Sequence, residues 1–170
     1  MGLLDRFRMT APRAPLDDLY HAIVARARDP RWYTAGAVPD TVDGRFDMVA
    51  LMVSLVLIRL EREADPAPPV ALTERFIDDM DGSLRELGVG DMTIGKHVGR
   101  TVGALGGRLG AYRDALAGTS EPLRAAIARN LYRGQPPSDD ALDWTTAQAE
   151  AFAASLRDWP AAELLAGRLP

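Results

Sequence analysis

Residues 94–116 read IGKHVGRTVGALGGRLGAYRDAL. The segment holds six glycines, Gly95, Gly99, Gly103, Gly106, Gly107 and Gly110. Each costs a helix about 1 kcal/mol relative to alanine, so a helix here needs a tertiary reason to exist. At about 100° per residue the six glycines fall within an arc of about 120°. Ile94, Val98, Val102, Leu105, Leu109, Tyr112 and Leu116 occupy a neighbouring arc of about 80°. Lys96, His97, Arg100 and Arg108 take the remaining side. Three separated faces predict one continuous helix over about Thr93–Ala117. Its apolar row faces a core, its basic side is solvated, and its bare strip lets a second backbone approach closely. That backbone is either another helix of the same domain or a helix from a different protein. In the second case Gly95, Gly99, Gly103, Gly107, Lys96 and Arg100 are the contact residues.

Outward from this rod the chain reads as all-α, a single compact domain of about six helices with no β-sheet. Toward the N-terminus, Leu16, Leu19, Tyr20, Ile23, Val24 and Ala27 recur at helical spacing and predict a helix over Pro15–Arg28, stopped by Asp29-Pro30. Residues 30–43 read as a structured loop carrying Trp32 and Tyr33. A helix over Asp43–Glu63 is apolar on most faces and belongs at the centre. Residues 64–69, ADPAPP, read as a linker. A helix over Val70–Leu87 follows, with Gly88 placed to end it. Beyond the glycine-rich rod, Ser120 is read as the cap of a helix ending near Gly134. QPPSDD at 135–140 is a second linker, and a helix over Asp140–Arg157 leads to a last turn after Trp159-Pro160. The organisation expected is a flexible basic segment at 1–14, a helical core at 15–134 and a helical extension at 135–170 packed on that core.

Composition narrows the chemistry. The 170 residues include no cysteine, which excludes disulfides, thiolate metal sites and a cysteine nucleophile. A net charge of −4 argues against a general nucleic-acid binder. MGLLDRFRMT lacks the apolar core and cleavage site of a secretory signal. The longest apolar run, Met48–Ile58, spans about 16 Å of helix, short of a bilayer core of about 30 Å, so the chain is read as soluble. His21 and His97 have no sequence partners that make a site. Ile77–Gly82 fails a calcium loop at both anchor positions, and GVGD at 88–91 lacks the Lys-Ser ending of a phosphate loop. No metal, cofactor or catalytic constellation is expected. Holding another protein is the favoured role. The alternative is a helical lipid- or quinone-binding protein or enzyme, with an internal apolar pocket between the central and glycine-rich helices.

Four segments carry a family likeness: LYHAIVARARDPRWY (19–33), VPDTVDGRFDM (38–48), DDMDGSLRELGVGDMTIGKHV (78–98) and AYRDAL (111–116). In order and spacing they resemble the ubiquinol–cytochrome c chaperone family over about residues 16–133, the tail from 135 carrying no likeness. The resemblance implies an all-helical, non-catalytic assembly factor for respiratory ubiquinol–cytochrome c reductase. Its implied client is a membrane protein, cytochrome b in mitochondrial relatives, held near the ribosome and inner membrane. The chain shows no mitochondrial presequence and looks like a bacterial member, so a cytoplasmic location with peripheral contact to the inner membrane is expected. The family motif falls on Pro39, Asp40, Thr41, Gly44, Arg45, Phe46 and Asp47, and on Asp79, Asp81, Leu84, Arg85, Gly88, Val89, Gly90, Asp91 and Lys96. Arg45, Asp47, Asp81 and Arg85 are expected to form an internal polar network, with client contact the other role open to them.

Overall fold

The computed structural model describes residues 13–86 and 91–170, and side chains over 16–82 and 99–170. Among the described residues there are eight helices and no strand. These are α1 (Arg13–Ala27), α2 (Pro30–Thr34), α3 (Val42–Leu60), α4 (Ala67–Glu86), α5 (Asp91–Ala117), α6 (Leu123–Asn130), α7 (Asp139–Asp158) and α8 (Ala161–Leu165).

α3 is the axis of the molecule, because it is apolar nearly all round and every flank must be covered. Every residue from Asp47 to Leu57 is buried. Helices α1, α4, α5 and α7 pack around it, α6 bridges α5 and α7, and α8 closes on α1. No described helix is long and apolar enough to cross a membrane. α3 starts at Thr41, whose hydroxyl accepts the amide of Gly44 at 3.1 Å. Gly44 is fixed by space, since a Cβ there would lie 2.0 Å from the carbonyl oxygen of Pro39. The segment 135–170 is integral to the core, burying Leu142, Thr145, Phe152 and Leu156 from α7 and Leu164 from α8.

Three local expectations are corrected. Residues 30–34, read as loop, form α2: Asp29 caps it by accepting the Arg31 amide at 2.9 Å, and Pro30 suits its first turn. ADPAPP is only half a linker. Asp65 accepts the amide of Ala67 at 2.9 Å, and Pro68 and Pro69 sit in the first turn of α4, where a missing N–H costs nothing. Ser120 does not cap α6; Pro122 holds that position without a side-chain bond. Gly118, at φ 69°, ends α5 in the left-handed conformation, and the Thr119 amide reaches back to the carbonyl of Asp114 at 3.0 Å. Gly88, read as a helix stop, lies outside the described residues.

Candidate functional site

The glycine-rich segment is one unbroken helix of 27 residues, Asp91–Ala117. Its partners are α3, α4 and α6, and they cover one side of it. Leu105 and Tyr112 are buried there, with Leu109, Ala111, Ala115 and Leu116 packed partly against the core. The bare strip faces the other way. A Cβ built on Gly99, Gly103, Gly106, Gly107 or Gly110 meets no atom within 4 Å. Gly99, Gly103, Gly106 and Gly107 are exposed, and Arg100 beside them is exposed too. Among the described residues no helix fills the strip at these positions. Gly95 lies within the helix, but its surroundings and the side chain of Lys96 are outside what the structure describes.

Two residues of α5 depart from the expected sorting. Val102, assigned to the apolar row, is 43% exposed at the edge of the glycine strip. Arg108, assigned to the solvated side, turns inward. Its Nη2 donates to Asp47 Oδ1 at 2.6 Å, its Nη1 donates to the Ala104 carbonyl at 3.1 Å, and its guanidinium lies 5.6 Å over the Phe46 ring.

Asp47 sits on α3 with no solvent exposure. A buried carboxylate needs matched donors, and Asp47 has two. The second is Arg133, whose Nε donates to Oδ2 at 2.7 Å while its Nη1 reaches Asp43 at 2.6 Å. Arg133 adopts φ 52°, a left-handed conformation uncommon for a side-chain-bearing residue. Burial pushes the Asp47 carboxyl above its ordinary range, against the downward pull of Arg133 and Arg108. Tyr112, one turn beyond Arg108, keeps a buried hydroxyl with no partner among the described residues, and burial raises its phenol. An internal polar network therefore exists around Asp47, but its partners are Arg108 and Arg133 rather than Arg45. Nothing in the sequence around Arg133 signalled this role; the signal lay only in the need of Asp47 for counter-charge.

Three other motif residues make contacts within the fold. Arg45 pairs with Asp40 at 2.6 Å on the surface. Phe46 packs on Phe76 with ring centroids 5.7 Å apart. Asp79 accepts the Tyr20 hydroxyl at 2.8 Å, joining α4 to α1, and Arg75 lies 4.8 Å over the Tyr20 ring. Asp81 is half-buried on α4. Arg85, Gly88 and Gly90 and the side chain of Asp91 lie outside the described residues.

Among the described residues the site is an open helical face whose bare strip, from Gly99 to Gly110, presents glycine backbone. Residues 34–169 match the family described as Ubiquinol-cytochrome C chaperone. The match reaches through α7 and nearly to the end of the chain, beyond the segments whose likeness was read from sequence. The crystal structure of the Cbp3 homolog from Brucella abortus is similar over 98% of this chain and 93% of that one, with 33% sequence identity and a TM-score of 0.81. No curated protein matches the sequence.

Proposed function

This chain belongs to the ubiquinol–cytochrome C chaperone family, and we propose on that premise that it is a non-catalytic holder of a hydrophobic membrane-protein client, cytochrome b, during assembly of ubiquinol–cytochrome c reductase. The client lies as a helix along the glycine strip of α5, with Gly95, Gly99, Gly103 and Gly107 facing it and Lys96 and Arg100 at the rim. One observation carries the reading: the strip is open, with no neighbouring atom of the described residues within 4 Å of where a Cβ would stand at Gly99, Gly103, Gly106 or Gly107. Small residues in a row let two helix backbones come close enough for extended van der Waals contact. Such a contact shields apolar surface and releases it without nucleotide or cofactor. An open face favours a protein client over the pocket for a lipid or quinone, which needs a concave, closed lining.

The protein acts from the cytoplasmic side, with peripheral contact to the inner membrane or ribosome as the client emerges. Deleting the gene in its native host and measuring membrane cytochrome b spectroscopically tests the assembly role. A large fall is expected, and an unchanged level refutes it. Crosslinking the tagged protein in the same cells identifies the client directly.

A further inference from the structure

The way α5 faces the core does not follow its apolar row. At about 100° per residue the middle of that row lies about 295° round the wheel from Gly95. Burial of apolar area alone would set that line against α3. The observed burial is centred elsewhere. Leu105 and Tyr112 are buried and the Arg108 side chain is 15% exposed, while Leu109 and Leu116 are only half-buried and Val102 stands 43% exposed. On the other flank Ala104, Ala111 and Ala115 are drawn into half-burial. The helix is therefore rolled about its own axis by about 45° toward Arg108.

Asp47 supplies the cause. It sits in the second turn of α3, wholly buried, and takes Arg108 at 2.6 Å. Leaving that carboxylate with one cation fewer costs more than leaving one valine in water. We infer that the Asp47–Arg108 ion pair sets the roll of α5, exposing Val102 and turning the middle of the glycine strip straight away from the core. Without the pair the exposed line shifts toward Arg100 and Gly107, and the Gly106 edge of the strip turns inward. Buried polar pairs of this kind fix one arrangement among several of similar apolar content. The roll stands on burial and geometry alone; only its bearing on client binding rests on the function proposed above.

The chain contains no cysteine, so one introduced thiol reports its own surroundings. Val102→Cys and, separately, Gly107→Cys are made in the native background and in two others, and N-ethylmaleimide modification is timed. The first background, Asp47→Leu with Arg108→Met, removes both charges and keeps apolar volume, so Arg108 is not left buried and unpaired. The second, Asp47→Asn, removes one charge and keeps the shape. In both, modification at Val102→Cys is expected to slow about tenfold as the thiol turns inward, with Gly107→Cys unchanged. Equal rates at Val102→Cys in all backgrounds would overturn the assignment. So would faster modification at both positions, which means that the pair holds α5 on rather than setting its angle. Arg108→Lys keeps the cation and is expected to leave the Val102→Cys rate native. A tenfold slowing there would assign the roll to side-chain shape and not to charge.

Discussion

Asp47 and Arg108 stand 61 residues apart in sequence, yet the carboxylate of one accepts a 2.6 Å hydrogen bond from the guanidinium of the other inside the seam between α3 and α5. Arg133 closes on the second oxygen of the same carboxylate from the loop after α6. Three segments that share no local sequence signal thus meet at one buried charge. The pairing joins the most apolar helix of the fold to its most glycine-rich one.

Asp47→Ala leaves Arg108 buried without its counter-charge, and losing one partner of a buried pair costs about 3–5 kcal/mol. Urea unfolding followed by circular dichroism is expected to show that loss. Replacing both members, Asp47→Leu with Arg108→Met, is expected to return the midpoint close to the native one, because the uncompensated charge is gone. A loss under about 1 kcal/mol for Asp47→Ala, the size of a surface pair, would contradict burial of this pair.

Two buried tyrosines are expected to answer the same substitution in opposite ways. The Tyr20 hydroxyl donates to Asp79 at 2.8 Å, and a bond to a charged acceptor contributes about 1.5–3 kcal/mol, so Tyr20→Phe destabilises. The Tyr112 hydroxyl is buried with no partner among the described residues. Removing it also removes the desolvation cost of an unmatched group, so Tyr112→Phe is expected to be neutral or to stabilise by about 1 kcal/mol. Paired thermal denaturation curves decide it.

The contrast between these residues marks how far the sequence reaches. The rod over 94–116, the central helix and the all-α class were legible because periodicity is local and long. Gly118 and the caps at Asp29 and Asp65 were missed because a cap is one side chain at one backbone geometry. Arg108 was misassigned for a deeper reason. Its wheel position lies between the basic and apolar arcs, and which way it turns depends on Asp47, invisible to any window around residue 108. The glycine strip was legible as a strip, but its openness depends on where α3, α4 and α6 lie. Arg45 is grouped with Asp47 through the shared family motif, whereas on a helix neighbours two apart point to different sides.

Asp29 provides a pH test with a definite sign. Hydrogen bonds from the Arg31 side chain and amide lower its carboxyl from 3.8 to about 2. A depressed carboxyl stabilises the fold above its unfolded value, and that contribution disappears as pH falls through the folded one. Asp29→Asn keeps a capping oxygen and removes only the charge. The native protein is expected to have the higher Tm from neutral pH down to about 4, with the difference shrinking toward zero near pH 2. A gap that widens with acid would reverse the sign and refute the pairing.

Gly103→Leu separates the fold from the proposed function. A Cβ at Gly103 meets no atom within 4 Å, whereas one at Gly44 would press on the Pro39 carbonyl at 2.0 Å. Gly44→Ala is therefore expected to destabilise, since backbone must move. Gly103→Leu replaces a poor helix former with a good one on an open face, so it is expected to hold or raise Tm, by up to about 1 kcal/mol of helix stability. The same leucine fills the strip along which a client helix is proposed to lie, and close approach of two backbones depends on the absence of that bulk. Binding of cytochrome b, read by co-purification from native membranes, is expected to fall at least tenfold while Gly103→Ala retains part of it. A folded Gly103→Leu protein that retains cytochrome b fully places the client elsewhere on the molecule, and a Gly103→Leu protein that fails to fold contradicts the openness of the strip itself.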